Sequence, residues 1–154
     1  MTPRNTSRVR QLRVVITAED YEAAVAFYRD VLGLEEQAAF QGEGNARVSI
    51  LLAGSATLEI ANPAQTRMID GIETEGVTSP KVRLAFEVDD ASGSSEKLVE
   101  GGAKLLAEAR ETPWRSLNAR LDAPAGMQIT LFQELETLQK RAARPGFGKP
   151  DNQD

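Results

Sequence analysis

The chain has 154 residues with no cysteine and no histidine, and its 18 lysines and arginines against 23 aspartates and glutamates leave a net charge of −5. That balance argues against a phosphate-backbone partner, which needs a basic stripe. The missing cysteine removes disulfide and thiol chemistry, and the missing histidine removes Ser-His-Asp and Cys-His machinery together with the commonest metal ligand.

At 41% hydrophobic and 27% charged, the composition is that of an ordinary globular protein. The opening MTPRNTSRVRQL has no apolar core of a signal peptide, and no apolar run approaches membrane-spanning length. The expectation is a cytoplasmic protein with neither a nucleic-acid nor a membrane partner. Residues 1–8 are polar and expected to fray.

Residues 11–18 read as a strand, with Leu12, Val14, Val15 and Ile16 as its apolar bulk. Glu19 and Asp20 follow where a helix begins, and capping at the positive end of its dipole outweighs acid–base work for them. In that helix Tyr21, Ala24, Val25, Tyr28 and Leu32 fall at spacings of three and four, one apolar face, and Gly33 ends it. Residues 35–40 read as a strand, 41–45 as a turn, and 46–53 and 56–61 as two strands joined at Gly54-Ser55. Glycines 42, 44 and 54 make no phosphate loop. Residues 62–80, with Pro63, Gly71, Gly76 and Pro80, read as a polar linker and a candidate lid, in which Met68 is a candidate for lining a cleft.

The pattern then repeats. Residues 81–88 read as a strand, and Asp89-Asp90 precede a helix over 91–100 that Gly101-Gly102 closes. Residues 103–109 read as a strand and 111–114 as a loop holding the chain's one tryptophan, Trp114. Residues 116–122 and 127–133 read as a hairpin around Ala123-Pro124-Ala125-Gly126. A short helix is expected within 134–144, and disorder over the Pro/Gly-rich 145–154. The organisation is a βαβββ module at 9–61, a linker at 62–80, a second βαβββ module at 81–135 and a partly disordered tail at 136–154.

Three segments resemble the vicinal oxygen chelate superfamily, the glyoxalase/bleomycin resistance protein/dioxygenase group. They are AEDYEAAVAFYRDVLGL at 18–34, VRLAFEVDD at 82–90 and NARLDAPAGMQITLFQ at 118–133, where Ala-Pro-Ala-Gly stands for the group's usual Asp-Pro-Asp-Gly. The resemblance covers roughly residues 9–135. It implies an α+β fold in which two βαβββ modules form a curved, partly closed mixed sheet around a concave cleft, commonly in a homodimer. It also implies metal ligands on the first and last strand of each module, usually His, Glu or Gln. Those positions here hold Arg13, Glu59, Arg83 and Thr130. Glu59 alone suits a divalent ion, because an arginine keeps its proton and offers no lone pair. No metal and no other cofactor are expected.

Because strand side chains alternate, Arg13, Glu59 and Arg83 are expected to face the cleft together. Two arginines beside one carboxylate leave about one positive charge uncompensated, which is costly when buried. Either an anionic ligand group meets it in the bidentate forks, or Glu59 bridges both arginines while solvent or Glu87 satisfies the rest. Trp114 either stacks on a ligand ring at the cleft mouth or packs at a rim or dimer contact, and Tyr28, Phe40 and Phe86 read as core. The function these features favour is metal-independent binding or sequestration of a small organic molecule with an anionic or aromatic group, as in drug resistance. The alternatives are a glyoxalase-type lyase or isomerase, or a dioxygenase-like enzyme, with Glu59 as general base and the arginines stabilising an enolate, and a partner protein whose cleft is vestigial.

Overall fold

Odd and even residues part company along the first strand, β1 (Val9–Thr17). Ile16 packs with a cluster of Tyr21, Val25, Leu51 and Ile60, whereas Val15 joins Ala85 and Phe132 and Arg13 lines a cavity. This period-two alternation divides the central strands into a helix-covered face and a cavity face.

The computed structural model describes residues 8–147. After β1 come α1 (Tyr21–Val25), continued by a π-helical segment Ala26–Val31, then β2 (Glu36–Gln41), β3 (Arg47–Ala53) and β4 (Ala56–Ala61). Then follow α2 (Pro63–Thr74), β5 (Val82–Val88), α3 (Ala91–Glu100), β6 (Lys104–Glu111), β7 (Ser116–Ala123), β8 (Met127–Glu134) and α4 (Leu138–Ala142). The eight strands form one mixed sheet in the order β2-β3-β4-β1-β5-β8-β7-β6, open at both edges. This is the expected α+β architecture.

The centre of the sheet explains the sequence repeat. β1 and β5 run antiparallel with Val14 opposite Leu84, and each has its own module's last strand parallel beside it, β4 against β1 and β8 against β5. Arg13 and Arg83 each precede that central pair by one residue, so they occupy equivalent places about the pseudo-twofold.

Each module has its own core under its own helix. The first gathers Tyr21, Val25, Leu51 and Ile60; the second gathers Val88, Ala91, Ala119, Leu121, Ile129 and Leu131. Leu51, Ile60 and Leu121 are wholly buried, each stabilising the fold by about 1.5–3 kcal/mol relative to exposure. One residue of each acidic pair at a helix entry caps: Asp20 accepts from the Ala23 N–H and Asp90 from the Gly93 N–H, while Asp89 pairs with Arg10. Tyr28 and Phe86 pack against these cores as expected.

Two segments differ from the sequence reading. Within 62–80, residues 63–74 form the helix α2. Asn62 caps it by accepting from the Gln65 N–H at 2.9 Å, and Pro63 occupies its first turn, where a missing N–H costs nothing. Its buried residues are Gln65, Ile69, Asp70, Glu73 and Thr74, mostly polar, so no apolar stripe announces it. At the other end, the bounds of α4 fall inside the expected 134–144 helix, but residues 145–147 are packed. Phe147 bridges to Phe40 with ring centroids 4.6 Å apart, and the Gln41 N–H donates to the Gly146 carbonyl at 3.0 Å. The fraying expected for 1–8 and the disorder expected for 145–154 fall mostly outside the described residues. Among those described, no helix is long and apolar enough to cross a membrane.

Candidate functional site

The cavity face encloses a volume of about 410 Å³, and Arg13, Glu59, Arg83, Trp114 and Thr130 all line it. The register brings them together. Val15 on β1 has Glu59 on one side and Arg83 on the other, while Arg13, one alternation earlier, faces Ala85, which in turn faces Thr130.

Each charged group meets a different environment. Arg83 is buried; its Nη1 donates to Thr130 Oγ1 at 2.5 Å and its Nε has no partner among the described residues. Burial pushes the Arg83 guanidinium below the ordinary arginine value, with Arg120 adding to the effect and Glu73, Glu59 and Asp70 opposing it. Arg13 donates from Nε to Gln11 Oε1 at 2.9 Å and lies 4.6 Å over the Phe132 ring, a cation–π contact. Glu59 lines the cavity with no hydrogen bond or ion pair to another described residue.

The charge balance expected from Arg13, Arg83 and Glu59 alone needs correction. α2 carries Glu73 and Asp70 onto this face, and β7 carries Arg120, which is wholly buried. Arg120 Nη2 lies 2.6 Å from Glu73 Oε2 and Nη1 lies 2.6 Å from Asp70 Oδ1. Asn118 Nδ2 donates to the other Glu73 oxygen at 2.6 Å, and Asp70 also accepts from the Ser79 backbone at 2.9 Å. Among the lining residues, Arg13, Arg83 and Arg141 are matched by Glu59, Glu73 and Glu134. The bridge from Glu59 to both arginines does not form. Glu87 pairs with neither arginine; burial, and then the neighbouring Glu134, push its carboxyl above the usual value, against the opposing pull of Arg13.

The C-terminal segment roofs the cavity. Leu138, Arg141, Ala142 and Phe147 face into it, and Arg141 donates to the Trp114 carbonyl at 2.9 Å and pairs with Glu134 and Glu136. Trp114 thus sits half-buried at the wall, tied through its backbone to the roof. Phe40, read as core, is instead a cavity wall stacked on Phe147, and Met68 is not among the lining residues.

Gln37 and Gln65 line the cavity with side-chain oxygens buried and unpartnered. Gln37 sits at a β-bulge between Glu36 and Ala38, which lets its side chain join that of Ala38 on the cavity face. Sequence reasoning missed both glutamines, Glu73, Asn118 and Arg120. A signal existed for the last two: Ser116, Asn118 and Arg120 alternate with Leu117, Ala119 and Leu121, so a polar face opposes an apolar one.

A divalent cation does not fit this donor set. The four positions at issue offer one carboxylate, one hydroxyl and two guanidiniums without a lone pair. Among the described residues no three acidic side chains come together to hold an ion.

Several solved structures share the fold. Methylmalonyl-CoA epimerase from Mycobacterium tuberculosis matches at 23% identity and TM-score 0.60, over 88% of this chain and 95% of that one. A glyoxalase/bleomycin resistance protein/dioxygenase superfamily member from Vibrio splendidus 12B01 matches at 13% identity and TM-score 0.55, over 80% and 98%. A mutant 4-hydroxymandelate synthase from Streptomyces coelicolor matches at 19% identity and TM-score 0.57, over 84% of this chain and 39% of that one. No curated protein matches by sequence. A sequence profile, however, matches residues 10–131, and with the doubled βαβββ sheet around its cavity it establishes that the chain belongs to the Glyoxalase/Bleomycin resistance protein/Dioxygenase superfamily.

Proposed function

We propose that the cavity binds and sequesters a small organic molecule without a divalent metal ion. The observation that carries this reading is the substitution of Arg13, Arg83 and Thr130 for metal-binding side chains around a cavity of about 410 Å³, inside the size range of small-molecule sites. Phe40, Val48, Ile50 and Phe132 offer apolar wall, and Arg13 and Arg83 supply orienting polar contacts. A drug or toxic metabolite held this way is withdrawn from its target, and the homodimer that the resemblance implies and the cytoplasmic location expected from composition belong to the same reading.

The test is a ligand panel read by thermal shift, run with chelator and again with added zinc, nickel or manganese. At least one ligand raises the melting temperature equally in both conditions, and Arg83→Ala or Trp114→Ala reduces the shift. Stoichiometric metal in the purified protein, or binding that requires added metal, sinks the proposal.

A second reading rests on Glu59, whose carboxylate faces the cavity unpaired across β1 from Arg83. In an isomerase or lyase, Glu59 would take a proton beside a carbonyl and Arg83 would hold the enolate oxygen. Turnover of methylglyoxal with glutathione that vanishes in Glu59→Gln would establish it.

A further inference from the structure

The buried polar atoms of the cavity that lack a partner, taken with the Glu59 carboxylate, are sorted by kind. On the side of β2, β4 and α2 they are acceptors: the Glu59 carboxylate and the buried side-chain oxygens of Gln37 and Gln65, the latter residue only 3% exposed. On the side of β5 the unpaired atom is a donor, Arg83 Nε, and Arg13 lies next to it over Phe132. A glutamine amide can turn to offer nitrogen in place of oxygen, so Glu59 sets the sign of the first side. The other acidic lining residues are engaged, Glu73 by Arg120 and Asn118 and Glu134 by Arg141.

We propose that the ligand is dipolar, with a cationic or strongly N–H-donating group at Glu59 and Gln65 and an anionic group at Arg83 and Arg13. This rests on the binding reading above and specifies its ligand class. A purely anionic ligand would leave the Glu59 carboxylate facing a second negative charge, and a purely cationic one would meet two guanidiniums. Glu59 and Arg83 lie two strand spacings apart, about 10 Å between backbones, and a ligand bridging their heads spans less than this, the size of one substituted ring. Ile50, paired with Glu59, and Ala85, on the strand of Arg83, offer apolar wall to that ring.

The experiment titrates the full chain with three probes of one shape: 4-(aminomethyl)benzoate, which carries both charges, its methyl ester, which carries only the cation, and 4-methylbenzoate, which carries only the anion. The doubly charged probe binds at least about tenfold tighter than either other, the effect of one additional charged hydrogen bond. Glu59→Gln abolishes its advantage over 4-methylbenzoate and raises the affinity for that probe, whose carboxylate then meets no second negative charge. Arg83→Gln abolishes the advantage over the methyl ester; should that variant not fold, Arg13→Gln, at a half-buried position, makes the same comparison. Equal or tighter binding by either singly charged probe overturns the dipolar assignment and leaves small-molecule binding standing. No binding by any of the three also overturns it, and the broader panel then decides separately whether the cavity binds anything.

Discussion

Arg120 meets a single oxygen of Glu73 twice, with Nη2 at 2.6 Å and Nε at 3.1 Å from Glu73 Oε2, and both residues are almost wholly buried. This pair joins α2 to β7 across the back of the cavity. Arg120 also pairs with Asp70, so removing Arg120 strands two carboxylates in a medium that cannot hydrate them. Arg120→Met is therefore expected to cost about 3–5 kcal/mol, a large part of a domain's typical total of about 5–15 kcal/mol, and Glu73→Ala less, because Asp70 still answers Arg120. Urea unfolding measures it. The exposed pair of Arg10 and Asp89 is the control, and Arg10→Ala should cost less than about 1 kcal/mol.

Asn62 serves three partners. Its Oδ1 accepts from the Gln65 and Arg47 N–H groups at 2.9 and 3.0 Å, and its Nδ2 donates to the Asn45 carbonyl at 2.6 Å. Asn62→Ala should lose about 1–2 kcal/mol from the cap and speed amide exchange in the first turn of α2. Because that turn carries Gln65 into the cavity, ligand affinity should fall too. Unchanged exchange at Gln65 would refute the capping role.

Glu87 gives a pH dependence with a definite sign. Burial and Glu134 raise its folded carboxyl above the ordinary value, so the ionised form is disfavoured in the folded state. The resulting penalty is absent below the ordinary value of about 4.3 and complete once pH exceeds the raised one. Glu87→Gln should therefore be more stable than the parent near neutrality, with the gain shrinking to nothing as pH falls below that ordinary value. Melting temperatures across this range decide the matter; a gain that persists in acid would mean a packing effect instead.

Arg141 holds the roof by its bonds to the Trp114 carbonyl, Glu134 and Glu136. Arg141→Ala should cost about 1–3 kcal/mol, because each lost partner is charged or buried. It should also raise amide exchange over 138–147 and quicken ligand release, with a smaller effect on association. Hydrogen exchange and stopped-flow binding test the two halves separately.

Much of this fold was legible because its strands and two of its helices obey local periods. Apolar residues alternate along 11–18, 81–88 and 127–133, and Tyr21, Val25 and Tyr28 mark one helical face. The repeat aligned Arg13 with Arg83, the resemblance added Glu59 and Thr130, and all four line one cavity. α2 was illegible for a physical reason: its buried face carries Gln65, Asp70 and Glu73 and so is mostly polar, with no apolar stripe to mark it, and Pro63 and Gly71 read as breakers although proline suits a first turn. Phe40 read as core because an apolar ring does not reveal whether it faces a core or a cavity.

The sequence by itself determined the doubled βαβββ order, the pairing of arginines at equivalent positions and the poverty of metal-binding side chains there. The first two follow from residue identity and from spacings of two, three and four along the chain, and the third from reading the residues at the positions that the resemblance marks. Only the tertiary structure decided which carboxylates answer which arginines. Glu73 and Arg120 stand 47 residues apart, and nothing local couples them. Sheet register and the docking of α2 bring the two together, while Glu59, the nearer candidate by sequence argument, is left facing the cavity unpaired.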